Sequence, residues 1–248
     1  MTYTENFPFF SARQNRLLKI MQSTGWDAVA INPGATLYYL TGLTFHLSER
    51  PVVVIFTSQK PPIIVLPELE SAKVKELPYP MKVFTYGEDP FTWEGVFHQA
   101  ASAASIAGKK VGVEPRRLRV LELSLLEAAA PKARFLSAED SLASLRMFKD
   151  ELEIAAIRKA VQIAQEALLA ILPLIKAGVT ERQIASELTV QLLRAGSDSE
   201  MPFAPIVSGG PNSANPHATP TDRPLQEGDL LVIDWGASFQ GYFSDITR

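Results

Sequence analysis

Asp229-Leu-Leu-Val-Ile-Asp-Trp-Gly236, followed after Ala237-Ser238 by Phe239-Gln-Gly-Tyr-Phe-Ser-Asp-Ile-Thr-Arg248, reads as a strand, a turn near Gly241 and a returning strand. Asp234 lies inside the apolar run and Asp245 lies in the return. A turn centred between Phe239 and Gln240 sets the two acids directly opposite each other, with Cβ atoms roughly 5 Å apart. A bulge at Gly241 would shift that register. Two carboxylates so placed repel, and burial raises the cost, because a charge taken from water must be paired or neutralised. Three arrangements relieve it: a basic partner, for which Arg248 is the nearby candidate; a proton shared between the acids; or a divalent cation held by both. The cation neutralises both charges and explains why a sheet tolerates the pair. Either acid alone is more commonly a turn cap or a solvent-facing residue.

Upstream of the hairpin the chain is loop-like. Pro202, Pro205, Pro211, Pro216, Pro220 and Pro224, with Gly209-Gly210, mark turns and short extended pieces. His217 sits there in Asn215-Pro-His-Ala-Thr-Pro220, where flanking prolines restrict the backbone. An imidazole so held can donate to a substrate carbonyl or bind a metal; spacing alone favours an exposed ring capping a turn. Gly209-Gly210 lacks the following Lys-Ser/Thr of a phosphate loop.

Two helices precede that region. Ile154, Ile157, Val161, Ala164, Leu168 and Ile171 recur at three- and four-residue intervals, the stripe of an amphipathic helix whose apolar face belongs to a core. Asp150 is its cap, Glu151 and Glu153 suit its first turn, and Pro173 ends or kinks it. A second helix runs from the cap Thr180 to Leu193, with Glu181 in its first turn and Ala195-Gly196 at its end.

The first half alternates differently. Ser11 caps a helix ending at Gly25, and Asp27–Ile31 is a short strand. Pro51-Val-Val-Val-Ile-Phe56 and Pro62-Ile-Ile-Val-Leu66 are continuous apolar runs, as in strands covered on both faces. Helix, strand, helix, strand and helix follow at 68–76, 81–86, 91–106, 109–114 and 118–130, with a short strand at Phe135-Leu136. Strands alternating with helices predict an α/β layer with a mixed sheet flanked by helices. The character changes over Pro131–Asp140, which places a domain boundary near 137: residues 1–137, then 138–248.

Composition narrows the classes. A net charge of −3, from 24 basic and 27 acidic residues, offers no basic surface for nucleic acid. With no cysteine, disulfides, thiolate metal sites and a Cys nucleophile are excluded, which suits a reducing compartment. Met1–Phe10 lacks the apolar run of a signal peptide, and no stretch approaches the ~20 apolar residues of a membrane span. The expectation is a soluble, cytoplasmic protein. His46 and His98 have no metal-ligand partner at useful spacing; a solvated loop is the expected place for His46 and a helix surface for His98.

The double-Asp hairpin, with its acids eleven residues apart and His217 seventeen before the first, resembles the signature of the pita-bread metallopeptidases: Xaa-Pro aminopeptidases, Xaa-Pro dipeptidases (prolidases) and methionine aminopeptidases. Ile206-Val-Ser-Gly-Gly210, Gln226-Glu-Gly-Asp-Leu230 and the stretch Leu145–Ile154 fit the same group, and Leu37-Tyr-Tyr-Leu-Thr-Gly42 resembles the N-terminal domain of its proline-specific members. The resemblance implies a creatinase/prolidase-type α/β domain followed by an incomplete α+β pita-bread domain. It implies two divalent ions, Mn(II) foremost and Co(II) or Zn(II) as alternatives, with Asp234 and Asp245 as ligands. It also implies a shared hydroxide that attacks the carbonyl of an Xaa–Pro bond, His217 as the catalytic, substrate-contacting donor, a peptide substrate with proline at the second position, and a homodimer. The family's remaining ligands, a His and two Glu, lie downstream of this hairpin, and the sequence stops at Arg248; the expectation is a C-terminally truncated chain, inactive alone. The rival readings are a non-hydrolytic creatinase-like relative or peptide- or histone-binding module, which both retained aspartates argue against, and an N-terminal unit that serves dimerisation.

Overall fold

The computed structural model describes residues 7–58 and 60–248. The chain forms two compact units, divided between Phe148 and Lys149. The expectation that the N-terminus holds no leader rests in part on residues 1–6, which lie outside the described residues.

In the first unit the elements are α1 (Phe7–Thr24), β1 (Ala28–Ile31), α2 (Ala35–Thr41), β2 (Val53–Thr57), β3 (Lys60–Pro67), α3 (Ser71–Lys75), β4 (Lys82–Tyr86), α4 (Trp93–Ala104), β5 (Lys110–Val113), α5 (Val120–Ala129), β6 (Arg134–Ser137) and α6 (Glu139–Met147). The strands form a mixed six-stranded sheet in the order β4-β3-β2-β1-β5-β6. The central hairpin pairings β1–β2 and β2–β3 are antiparallel; β3–β4, β1–β5 and β5–β6 are parallel. The continuous apolar runs are explained by two cores, one on each face. Val53, Ile55, Ile63 and Val65 pack with Phe97, Leu126 and Ala129 of α4 and α5. Val54, Phe56, Ile64 and Leu66 pack with Leu17 and Met21 of α1, Leu37 and Leu40 of α2, and Leu142 and Leu145 of α6. Both sides of each central strand are therefore apolar, and period-two alternation is lost.

Helix α6 explains why the units divide at 148/149 rather than near 137. Leu142 and Leu145 are buried in the first unit's core, the Ala138 N–H donates to the Val113 carbonyl at 2.9 Å, and Arg16 Nη2 donates to the Leu145 carbonyl at 3.1 Å. At Gly112 a Cβ would fall 2.8 Å from that of Ala138, so the sheet admits this segment because that position has no side chain.

The second unit holds α7 (Glu151–Ile171), α8 (Glu181–Arg194), β7 (Ile206–Gly209), β8 (Leu231–Trp235), β9 (Ser238–Phe239), β10 (Tyr242–Phe243) and β11 (Ile246–Thr247). Asp150 caps α7 in a reciprocal box with Glu153, and Thr180 caps α8 with Gln183, each satisfying two backbone donors that a helix start leaves free. Pro173 falls in a 3-10 turn just past the end of α7. Ile163, Ala164, Ala167 and Ile171 of α7 and Ile184, Leu188 and Leu192 of α8 cover one face of an antiparallel sheet ordered β11-β8-β7. Among the described residues no helix is long and apolar enough to cross a membrane.

Candidate functional site

Strand β8 alternates cleanly. Ile233 and Trp235 turn to the helices, where Trp235 Nε1 donates to the Ala164 carbonyl of α7 at 2.9 Å. Asp234 therefore lies on the opposite face, flanked by Ile206 of β7 and Thr247 of β11.

The return from β8 corrects the expected register. Tyr242 pairs with Phe239, Phe243 with Ser238, Ile246 with Trp235 and Thr247 with Asp234. The turn is thus centred between Gln240 and Gly241, with φ of 50° and 74°. Two successive left-handed residues make the tight turn whose twist suits a two-residue hairpin, and Gly241 takes that conformation freely. Asp234 consequently faces Thr247, whose hydroxyl donates to its Oδ1 at 3.0 Å, and not Asp245. Asp245 nevertheless shares the face of Asp234. Its neighbours turn the other way: Ser244 Oγ donates to the Ala160 carbonyl of α7 at 3.2 Å, and Ile246 packs in the helix-side core. Diagonal neighbours of this kind have Cβ atoms about 7 Å apart.

Between them the strands pinch. The Ala237 N–H donates to Ser244 Oγ at 2.9 Å, while the Ser244 N–H donates to the Ala237 carbonyl at 2.9 Å. The serine hydroxyl thus stands in for its own carbonyl in the ladder, and that carbonyl turns toward Gly236, where a Cβ would meet it at 2.1 Å. Only glycine fits.

His217 is exposed on the loop that leaves β7 through a 3-10 turn at Gly210–Ala214. Its N–H donates to Asn215 Oδ1 at 3.0 Å. The structure thus brings Asp234 and Asp245 to one face, and no hydrogen bond or ion pair among the described residues joins His217 to either. His46 is exposed, and His98 pairs loosely with Glu94 at 3.6 Å on the surface of α4.

One residue escaped the sequence reading. Glu181, which its sequence position makes an ordinary first-turn acid, is fully buried. Its Oε1 accepts from the Gly209 N–H at 2.7 Å, its Oε2 accepts from the Thr221 N–H at 2.9 Å and the Thr221 hydroxyl at 2.6 Å, and Asn212 Nδ2 reaches both oxygens at 3.1 Å. Burial alone would raise its pKa; these donors outweigh burial and hold the carboxyl below the ordinary glutamate range. Beside it Arg223 grips Asp229 through both guanidinium nitrogens, at 2.7 and 3.0 Å, which lowers the Asp229 pKa. That ion pair explains Gly210, where a Cβ would lie 2.6 Å from Arg223 Nη2 and from Asp229 Oδ1. The only legible signal for Glu181 was its place one residue after a capping threonine; burial depends on Asn212 and Thr221, far along the chain.

The first unit's residues 13–148 match the creatinase/prolidase N-terminal domain, and residues 155–248 match metallopeptidase family M24. The chain belongs to the creatinase/prolidase family. Among its relatives, the Xaa-Pro dipeptidase of Pyrococcus horikoshii is 31% identical over 238 residues, covering 94% of this chain and 62% of that protein. Prolidase from Thermococcus sibiricus superposes with a TM-score of 0.86 at 26% identity, covering 96% of this chain and 64% of that one. Dipeptidase PepE from Mycobacterium ulcerans gives 0.83 at 29% identity, covering 97% and 64%. This creatinase/prolidase chain thus spans somewhat under two thirds of the length of the relatives it matches.

Family M24 implies a divalent metal. Asp234 and Asp245 fit part of such a site: they offer hard oxygen donors on one face, and among the described residues neither is in an ion pair. The relief by Arg248 that the sequence allowed is not taken, since its Nη1 donates to the Thr247 carbonyl at 2.7 Å. Among the described residues no group of three or more His, Asp or Glu side chains is placed to hold a metal.

Proposed function

We propose that the intact protein is a metal-dependent peptidase that hydrolyses Xaa–Pro bonds, as dipeptidase or aminopeptidase. One observation carries the reading: two aspartates on a single face of a hairpin, neither in an ion pair among the described residues, with the first strand locked to α7 by Trp235 and the second by Ser244. Family membership supports it. Asp234 and Asp245 would supply carboxylate oxygens to a pair of divalent cations, Mn(II) suiting such hard donors best and Co(II) or Zn(II) being tolerable. When bound, the ions would polarise the scissile carbonyl and lower the pKa of a water. The Thr247 hydroxyl fixes the carboxylate plane of Asp234 through Oδ1. His217, exposed on its loop, would donate an N–H to the substrate carbonyl. The lack of cysteine suits action in the reducing cytoplasm.

The test is Mn(II)-dependent release of proline from an Xaa-Pro dipeptide by the intact protein. Release by wild type and its loss in Asp245→Asn are expected; a metal-loaded wild type that releases none sinks the reading.

A further inference from the structure

Glu181 closes both ends of the segment that carries His217. Gly209, where the segment leaves β7, and Thr221, where it returns, bind opposite oxygens of the same carboxylate. Nor is the hold limited to the ends. Asn212 donates its side-chain amide to Glu181; the Asn212 carbonyl accepts from the Asn215 N–H at 3.0 Å; Asn215 Oδ1 accepts from the His217 N–H at 3.0 Å, and the Asn215 carbonyl from the Ala218 N–H at 3.2 Å. An unbroken run of hydrogen bonds therefore leads from a buried carboxylate to the backbone of the exposed histidine. Among the described residues no ion pair joins Glu181, and burying a carboxylate held by neutral donors alone is expensive. An apolar residue would fill the space at lower cost but could not tie three points of a loop to one place.

We infer that Glu181 is a positioning residue for the hydrolytic reaction: through Asn212 and Asn215 it fixes where the His217 imidazole meets the substrate. The inference rests on the peptidase reading. It makes His217 a group on a rigid mount rather than on a mobile loop, as a donor that must meet a carbonyl in one place requires.

The experiment compares kcat and KM of the intact, Mn(II)-loaded protein carrying Glu181→Gln, with and without His217→Ala. In Gln, one acceptor oxygen becomes a donor that faces the donors of Thr221 or Gly209. A fall in kcat of about tenfold or more is expected in the wild-type background, and less than about twofold once His217 is gone, because a residue that acts through another has nothing left to act on. Asn215→Ala, at an exposed position, breaks the last link without touching the buried carboxylate, and Asn215→Asp keeps the acceptor. The first should lower kcat as Glu181→Gln does and the second should restore it, so a misfolded Glu181 variant does not decide the matter. Amide exchange at His217 and Ala218 should quicken in Glu181→Gln and Asn215→Ala alike. Equal effects of Glu181→Gln in both backgrounds, or Asn215→Ala at wild-type kcat, overturn the inference while leaving the peptidase reading intact. A wild type that hydrolyses nothing removes both.

Discussion

Replacing Gly236 by Ala tests the pinch that sets Asp245 relative to Asp234. An added Cβ would lie 2.1 Å from the Ser244 carbonyl oxygen and 2.6 Å from Pro202 Cγ. Carbon and carbonyl oxygen come no closer than about 3.3 Å, so the returning segment must retreat by about 1 Å. It cannot retreat freely. Ser244 is held by its N–H on the Ala237 carbonyl, by the Ala237 N–H on its hydroxyl, and by that hydroxyl on the Ala160 carbonyl. Overpacking against such a backbone belongs at the upper end of the usual range, about 3 kcal/mol. At the scale of the 248 residues of this chain, that is a drop in melting midpoint of about 6–12 °C. Calorimetry of the intact protein measures it, and Mn(II) titration of the same variant should show affinity weakened about tenfold, the usual effect of disturbing the support of a metal ligand. A midpoint within about 2 °C of wild type, with unchanged Mn(II) binding, would refute the register and the close approach together.

Three further outcomes are expected. Ser244→Ala leaves the buried Ala237 N–H without its acceptor and should cost about 1–3 kcal/mol in urea unfolding; a loss under about 0.5 kcal/mol contradicts the substituted ladder. Glu181 and Asp229 both have native pKa values below their ordinary ones, so the stability they contribute is complete above the ordinary carboxylate range, about 4, and is lost as pH falls through it toward the depressed native values. Urea midpoints should hold steady from neutral pH to about 5 and fall below that, with a shallower acid limb in Glu181→Gln; an identical limb counts against the buried carboxylate. Gly95→Ala, at an exposed position inside α4 where a Cβ meets nothing within 4 Å, should raise stability by about 1 kcal/mol, and a loss would argue against the α4 backbone.

What could be read from the sequence follows from how locally each feature is determined. The caps Asp150 and Thr180 act within one turn, so they announce themselves. The stripe from Ile154 to Ile171 announces the helix but not its buried face: Ile154 is exposed, and Ala156, Ala160, Ile163 and Ala167 join Ala164 and Ile171 in the interior. The buried strands β2 and β3 do so through length and β-branching. Helix α2 was legible only as a family motif: it begins after Gly34 with no side-chain cap and carries Thr36, Tyr38, Tyr39 and Thr41, none a strong helix former. The boundary was misplaced because a composition change marks where loops occur, whereas the division depends on which core receives Leu142 and Leu145. Their three-residue spacing shows that α6 has an apolar face but not where that face goes. Glu181 is the extreme case, since its burial is set by partners up to forty residues away.

The misread turn shows why the site was legible in kind but not in distance. Moving the turn centre from between Phe239 and Gln240 to between Gln240 and Gly241 changes each cross-strand partner by two residues, here from Asp245 to Thr247 opposite Asp234. Side chains alternate with period two, so a two-residue shift leaves every face unchanged, while a one-residue slip would turn each side chain over. A one-residue slip is also the change this hairpin resists most. It would pull Ile246 and Ser244 from the helix side, where Ser244 is bonded to Ala160, and expose their face to water. Trp235, 1% exposed and tied to Ala164, fixes the parity of β8 in the same way. The apolar residues of the hairpin therefore decide that both aspartates emerge on the side away from α7, whatever the turn does. The turn decides only their offset, and Gln240 concealed it because a left-handed residue other than Asn, Asp or Gly is rarely expected there. A Gln240→Asn variant should favour the same turn and strengthen the hairpin by a few tenths of a kcal/mol, with Mn(II) affinity unchanged. A shift in that affinity would mean that the turn, rather than the packing of Trp235 and Ser244, governs where the aspartates stand.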